Sequence, residues 1–306
     1  MDGPRERHVI GGTRTVLLDK DGDILFIAFR GSAGKKDWVD NSHFGLVSLH
    51  GEDEKERVHR GFHERAGKIL EELVEKLPQN LPKTIVITGH SLGAALSQVV
   101  YIQLKDVIMK TRKLSGFNSK IINISFAGPL VGNMDLRNQM GEGQKDLAKS
   151  MYHFVLSEDI IPAMPFYQHA YQKLPEPLIN FSKSDYYHHI MSHIMVGDGA
   201  PAELYQVFVP PLYDQPIYDN DSSLEPYAPI GNYLYIKEDK LYEFPYHMDP
   251  QFVAQALISI LDVMRKMGPV QALPMPHQKL GHPLVVKLRA DHWIKNYSNK
   301  LDSFTT

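Results

Sequence analysis

The sequence predicts an α/β domain: a mostly parallel sheet flanked by helices. Two observations carry this. Between residues 84 and 156, short β-branched runs alternate with apolar helical stretches over short connections. One of those runs leads through Gly89-His90-Ser91-Leu92-Gly93 straight into an apolar stretch. Length divided by about 150 residues would suggest two domains, but α/β units often run to 306 residues as one.

Taken in order, residues 15–18 and 23–29 read as two strands around the turn Asp19-Lys20-Asp21-Gly22, since Asp-Gly between apolar runs signals a hairpin. Phe62, Ala66, Ile69, Leu70, Leu73, Val74 and Leu77 then follow the 3.6-residue period of a helix, which Pro78 and Pro82 end. Residues 84–88 (TIVIT) read as a strand buried on both faces. A helix should follow through Gln103, then strands over 121–126 and 151–156. After Pro165 the chain becomes dense in Pro, Tyr and His, which reads as a long irregular insertion. It holds a hairpin over 231–243. A helix is expected at 250–267 and a last one near 291–301. The whole is read as one domain over 1–306, with its core at 12–165 and 284–306 and an insertion or cap at about 166–283.

Composition removes several function classes. Hydrophobic residues make up 43% of the chain and charged residues 23%, ordinary for a soluble domain with a large core. A formal net charge of −3 gives no basic footprint for nucleic acid. With no cysteine, disulfides, Cys-ligated zinc, Fe–S clusters and thiol nucleophiles are excluded. The opening MDGPRERHVIGG has no apolar run of a signal peptide, and no stretch approaches 18 apolar residues. The expectation is a cytoplasmic chain without a transmembrane segment.

The Gly-x-Ser-x-Gly pattern is weak alone, but here a strand precedes it and a helix begins on it. That is a nucleophile elbow. Its glycines permit a tight strand-to-helix turn. Its serine stands at a helix N-terminus, where backbone N–H groups and the dipole favour a developing oxyanion. The bland alternative is a glycine-rich turn with an incidental serine. A serine nucleophile needs a base, and the base an orienting acid, in the chain order Ser, Asp, His for this turn. Asp159 follows the 151–156 strand at its carboxyl end, where open α/β sheets build their sites, and Glu158 is its neighbour and competitor. Eight histidines lie downstream. His188, His189 and His193 have spacing that could suggest a metal, but no third ligand type is specified, and packing is favoured. His169, His247, His277 and His282 fall in expected loops, and His292 follows Asp291 at the start of the last helix.

These segments together resemble the class 3 lipases, fungal-type triacylglycerol lipases of the α/β-hydrolase fold. The resemblance is carried by Phe29-Arg30-Gly31-Ser32 with Asp37-Trp38, by Val58-His59-Arg60-Gly61-Phe62, and by residues 87–94 around Ser91. Phe126-Ala127-Gly128-Pro129 with Val131-Gly132-Asn133, Asp159-Ile160-Ile161-Pro162, and Asp291-His292 with Tyr297 complete it, in the family's order. It implies an α/β-hydrolase fold with a large insertion between acid and base. It implies Ser91 as nucleophile, Asp159 as acid, His292 as base, and an oxyanion hole from the backbone N–H groups of Ser32 and Leu92. The segment 33–44, with Trp38, Val39 and Phe44 on a polar background, stands where the family carries its lid. The 231–243 hairpin with its following helix resembles a part of plant lipase-like immune regulators.

The activity so implied is hydrolysis of lipid esters at a lipid–water interface, with no metal or organic cofactor. Phospholipase A1 or short-chain esterase activity would use the same triad, because the triad does not select the ester. A reading from another class is a lipase-like signalling scaffold with little hydrolysis. The intact Ser91, Asp159 and histidine candidates weigh against it.

Overall fold

In a computed structural model of the chain, the described residues are 8–10, 16–21, 23–31, 45–51, 55–78, 81–112, 119–141, 147–156, 159, 161–163, 227–237, 240–247 and 294–302. The chain opens with β1 (His8–Ile10), β2 (Val16–Asp21) and β3 (Ile24–Phe29). Next come β4 (Leu46–Ser48), β5 (Arg57–His59) and α1 (Arg60–Lys76). The centre is β6 (Thr84–His90), α2 (Leu92–Arg112) and β7 (Lys120–Phe126). Then follow β8 (Gly132–Asn133), α3 (Met134–Gly141) and β9 (Met151–Leu156). The last elements are β10 (Tyr227–Ala228), β11 (Asn232–Lys237), β12 (Lys240–Phe244) and α4 (Ile294–Asp302).

Eight strands form one sheet in the order β1-β2-β3-β6-β7-β9-β11-β12. The middle five, from β3 to β11, pair in parallel. Antiparallel hairpins close both edges, β1-β2-β3 on one side and β11-β12 on the other. This is the mostly parallel sheet that the sequence predicts. A second sheet of four short strands, β10-β8-β5-β4, lies beside it.

Two expectations shift. The first hairpin turns later than Asp-Gly spacing suggests: Asp19 and Lys20 stay in the ladder, and Asp21 pairs with Ile24. The strand at 84–90 is not buried on both faces. Ile85 and Ile87 are fully buried, whereas Thr84, Val86 and Thr88 are half-buried. The face holding Ile85 and Ile87 carries α2, whose apolar side chains Ala95, Leu96, Val99 and Val100 join one core with those of α1. The opposite face carries α4 at one end, through Tyr297 and Leu301 against Phe126, Phe154 and Ile236. Away from α4 that face is more open, with Ile24, Phe26 and Tyr152 exposed by 37–38%. The β11–β12 hairpin, within the 166–283 segment, is built into the main sheet through β9. The helix expected at 250–267 lies outside the described residues. Among the described residues, no helix is long and apolar enough to cross a membrane.

Candidate active site

Two lipase-like motifs first build the frame. His59 caps α1: its Nδ1 accepts from the Phe62 N–H at 3.3 Å, and its ring stacks on Phe62 at 3.8 Å. Asn133 Oδ1 accepts from the Arg57 and Leu136 N–H groups, and its Nδ2 donates to the Lys55 carbonyl. So the residues of these two motifs serve capping and strand ties.

The Ser91 turn follows from its glycines. A Cβ on Gly89 would lie 2.2 Å from the Gly93 carbonyl oxygen, and one on Gly93 would lie 2.2 Å from the Phe29 carbonyl oxygen. Strand and helix therefore cross at backbone contact, which only glycine allows. Between them Ser91 sits at φ 59, in the left-handed region. Such a conformation in a non-glycine residue costs on the order of 1–3 kcal/mol and persists only where its surroundings over-determine it. They do so here. The Ser91 N–H donates to the Phe126 carbonyl on β7, and the Ser91 carbonyl accepts from Ala94 and Ala95 of α2. Ser91 is 7% exposed. The first N–H groups of α2, that of Leu92 among them, have no partner inside the helix by geometry and carry the positive end of its dipole.

At the end of β3, a Cβ on Gly31 would lie 3.0 Å from the His90 carbonyl oxygen and 3.6 Å from the Ser91 Cβ. The residue before Ser32 thus lies close to the Ser91 turn, with room for no more than a small side chain. Ser32 itself, and Trp38, Val39 and Phe44, lie outside the described residues.

Asp159 stands three residues beyond β9 and is fully buried. Its N–H donates to the Leu156 carbonyl. Its Oδ1 accepts from the Ile161 N–H at 3.0 Å, and its Oδ2 accepts from the Tyr297 hydroxyl at 2.7 Å. The same hydroxyl accepts from the Leu156 N–H at 3.1 Å. The Tyr297 ring meets His90 edge-on at 5.9 Å. One buried side chain of α4 therefore touches both Asp159 and the residue preceding Ser91. The sequence marked Tyr297 as part of a terminal motif but gave it no role. Its signal was the pair Tyr297 and Leu301, one turn apart on a helix whose other apolar residue, Ile294, is exposed.

His292 lies outside the described residues, two positions before α4 begins. His247 is described and exposed, and it is at the wrong end of the sheet. It follows β12, which runs antiparallel to β11. Tyr246 beside it donates its N–H to Asn232 Oδ1, at the start of β11, and Asn232 also bonds the Met151 carbonyl at the start of β9. Asp159 stands beyond the other end of β9, about 20 Å away for six extended residues. Glu158, His169, His188, His189, His193, His277 and His282 lie outside the described residues.

His153 on β9 is a buried histidine that the sequence did not single out. Its Nδ1 lies 2.5 Å from the Ser125 Oγ, with both side chains sealed from solvent. Burial pushes its pKa down to about 4, so the ring is neutral.

The model of the family described as Lipase (class 3) matches residues 26–169. The candidate lipase LIH1 of Saccharomyces cerevisiae is 25% identical over 192 residues, 52% of this chain and 56% of that protein. The chloroplastic phospholipase A(1) DAD1 of Arabidopsis thaliana is 28% identical over 161 residues, 46% of this chain and 33% of that one. The matched stretch thus spans about half the length, or less, of these relatives. Among solved structures, a Rhizomucor miehei lipase propeptide complex superposes with a TM-score of 0.44 at 17% identity, covering 81% of this chain and 61% of that one.

Proposed function

We propose that this chain is a serine carboxylester hydrolase acting on lipid esters through an acyl-enzyme, a reading supported by the match of residues 26–169 to the class 3 lipase family model. The observation that carries the reading is Ser91, held at φ 59 at the N-terminus of a 21-residue helix. A strained, over-determined serine beside backbone donors is the geometry of nucleophilic attack and oxyanion stabilisation. Asp159, buried with both oxygens hydrogen-bonded, is the orienting acid.

His292 is the base. Two observations support it: α4 already touches Asp159 through Tyr297, and His292 precedes Ile294 by two residues, at most about 7 Å of chain. In the reaction His292 takes the Ser91 proton as Oγ attacks the ester carbonyl carbon. The N–H groups of Leu92 and Ser32 hold the resulting oxyanion. Collapse breaks the ester C–O bond, and His292 returns the proton to the leaving alcohol. Water, deprotonated by His292, then releases the acid and regenerates Ser91. Trp38, Val39 and Phe44 belong to a lid over the site, in the segment that follows Gly31, which lies close to the Ser91 turn.

A second reading, phospholipase A1 activity, is favoured by the likeness to the Arabidopsis phospholipase. Hydrolysis of p-nitrophenyl esters from C2 to C16, with Ser91→Ala as blank, tests the mechanism. A long-chain optimum that vanishes in Ser91→Ala is expected, and equal rates in the two proteins would refute it. Diacyl phospholipid with labelled sn-1 and sn-2 chains then separates the lipase from the phospholipase A1.

A further inference from the structure

We infer that Asn123 is a positioning residue that holds the Ser91 turn from the neighbouring strand by clamping both of its arms. Asn123 lies in the middle of β7 and is fully buried. Its Nδ2 donates to the Ile87 carbonyl at 3.1 Å, on the strand entering the elbow. The same Nδ2 donates to the Ser97 Oγ at 3.0 Å, on the helix leaving it. Ser97 Oγ passes the link on, donating to the Ala94 carbonyl at 2.7 Å. Ala94 in turn donates its N–H to the Ser91 carbonyl at 2.9 Å. One amide group thus connects β7, the incoming strand and the first turn of the outgoing helix.

Sheet stability does not account for this side chain. A central parallel strand favours Val or Ile, and β7 otherwise carries Ile121, Ile122 and Ile124. Asn123 also leaves its Oδ1 buried without a hydrogen-bond partner among the described residues, a cost that an aliphatic residue would avoid. What the amide supplies is a third anchor for a backbone that rests at φ 59 against its own preference. The Phe126 carbonyl, three residues along β7, already holds the Ser91 N–H, so β7 fixes the turn from both directions.

The inference rests on the reading of Ser91 as nucleophile, and its test separates the two. Asn123→Leu keeps the branched outline and number of heavy atoms, at slightly larger volume, and removes both hydrogen bonds. It strands no buried donor, because Ser97 keeps its own bond to Ala94. The fold should therefore survive with a thermal midpoint close to that of the parent. On a p-nitrophenyl ester, kcat should fall about tenfold or more with KM unchanged, since small misplacements of a reacting group carry penalties of that size. The rate of Ser91 labelling by a fluorophosphonate should fall by the same factor. Ser97→Ala, which cuts the same link from the helix side, should reproduce the loss. The double variant should add little, as expected for members of one network. Ser125→Ala removes a buried hydroxyl two residues along the same strand face and should leave kcat unchanged.

Should Asn123→Leu and Ser97→Ala keep the parent kcat and labelling rate, or should Ser125→Ala lose as much, the clamp is refuted. Losses that multiply in the double variant refute the shared link. If Asn123→Leu does not fold, Ser97→Ala decides alone. If the parent shows no Ser91-dependent hydrolysis, the functional reading fails and takes the clamp with it.

Discussion

The two described corners of the site, the turn at Ser91 and the turn at Asp159, are built by opposite means. Both stand at the carboxyl ends of parallel strands, β6 and β9, with β7 between them. The Ser91 turn is shaped by its immediate neighbours: two glycines that let backbones touch, and a helix that begins one residue later. The Asp159 turn is finished by a residue 138 positions away, the hydroxyl of Tyr297. A turn determined by local sterics can be read from five residues. One completed by a distant hydroxyl cannot.

The largest effect should fall on the locally built corner. Gly93→Ala places a methyl 2.2 Å from the rigid Phe29 carbonyl oxygen, with backbone on both sides and no side chain to move away. We expect a loss of more than about 3 kcal/mol, at the upper end of overpacking costs, with no active protein. Thermal unfolding of the purified variant checks it, and near-parental stability would show that the crossing of strand and helix is looser than described.

Next comes the strand that leads to the acid. His153 stays neutral in the folded chain down to about pH 4, whereas an unfolded histidine binds a proton below about pH 6.5. In that window the unfolded state binds more protons, so stability falls as pH drops from about 6.5 towards 4. The full difference is about 3 kcal/mol, from about 1.4 kcal/mol per pH unit. Urea midpoints at pH 7 and pH 4.5 should show this loss in the parent, and His153→Leu should flatten it.

A smaller effect tests the remote partner. Tyr297→Phe leaves the ring packed on His90 and removes the hydroxyl from Asp159 and from the Leu156 N–H. We expect about 1–2 kcal/mol of destabilisation and a kcat lowered by about tenfold, as Asp159, the proposed acid, loses one of its fixed donors. An unchanged kcat, read by ester hydrolysis, would mean that Ile161 and the remaining contacts suffice to hold Asp159. The smallest effect lies at the far end of the sheet. Lys83 and Asp23 pair at 2.8 Å, but both are largely exposed, so Lys83→Ala should not move the thermal midpoint measurably.

The order of elements was legible because the periods are strong. The helix at α1 and the strands at β7 and β9 fall within two residues of where apolar spacing puts them. The 231–243 hairpin was legible too, but its place was not: only pairing of β11 with β9 shows that it extends the main sheet. The turn before β3 was misjudged because Asp-Gly is a local preference that the ladder from Asp21 to Ile24 overrides. The strand at β6 was misjudged for another reason. A run of β-branched residues states that both faces tolerate burial, not that both are covered, and the face of Val86 is only half-buried.

By itself, then, the sequence determined the Ser91 turn and the alternation of strands and helices, since steric exclusion at Gly89 and Gly93 and side-chain periodicity act between near neighbours. Tertiary structure alone decided which tyrosine meets Asp159, that His247 faces the wrong end of the sheet, and that Asn123 reaches both arms of the Ser91 turn. Those are contacts between segments that become neighbours only when the sheet forms, and hydrogen bonds of about 3 Å leave no trace in sequence spacing.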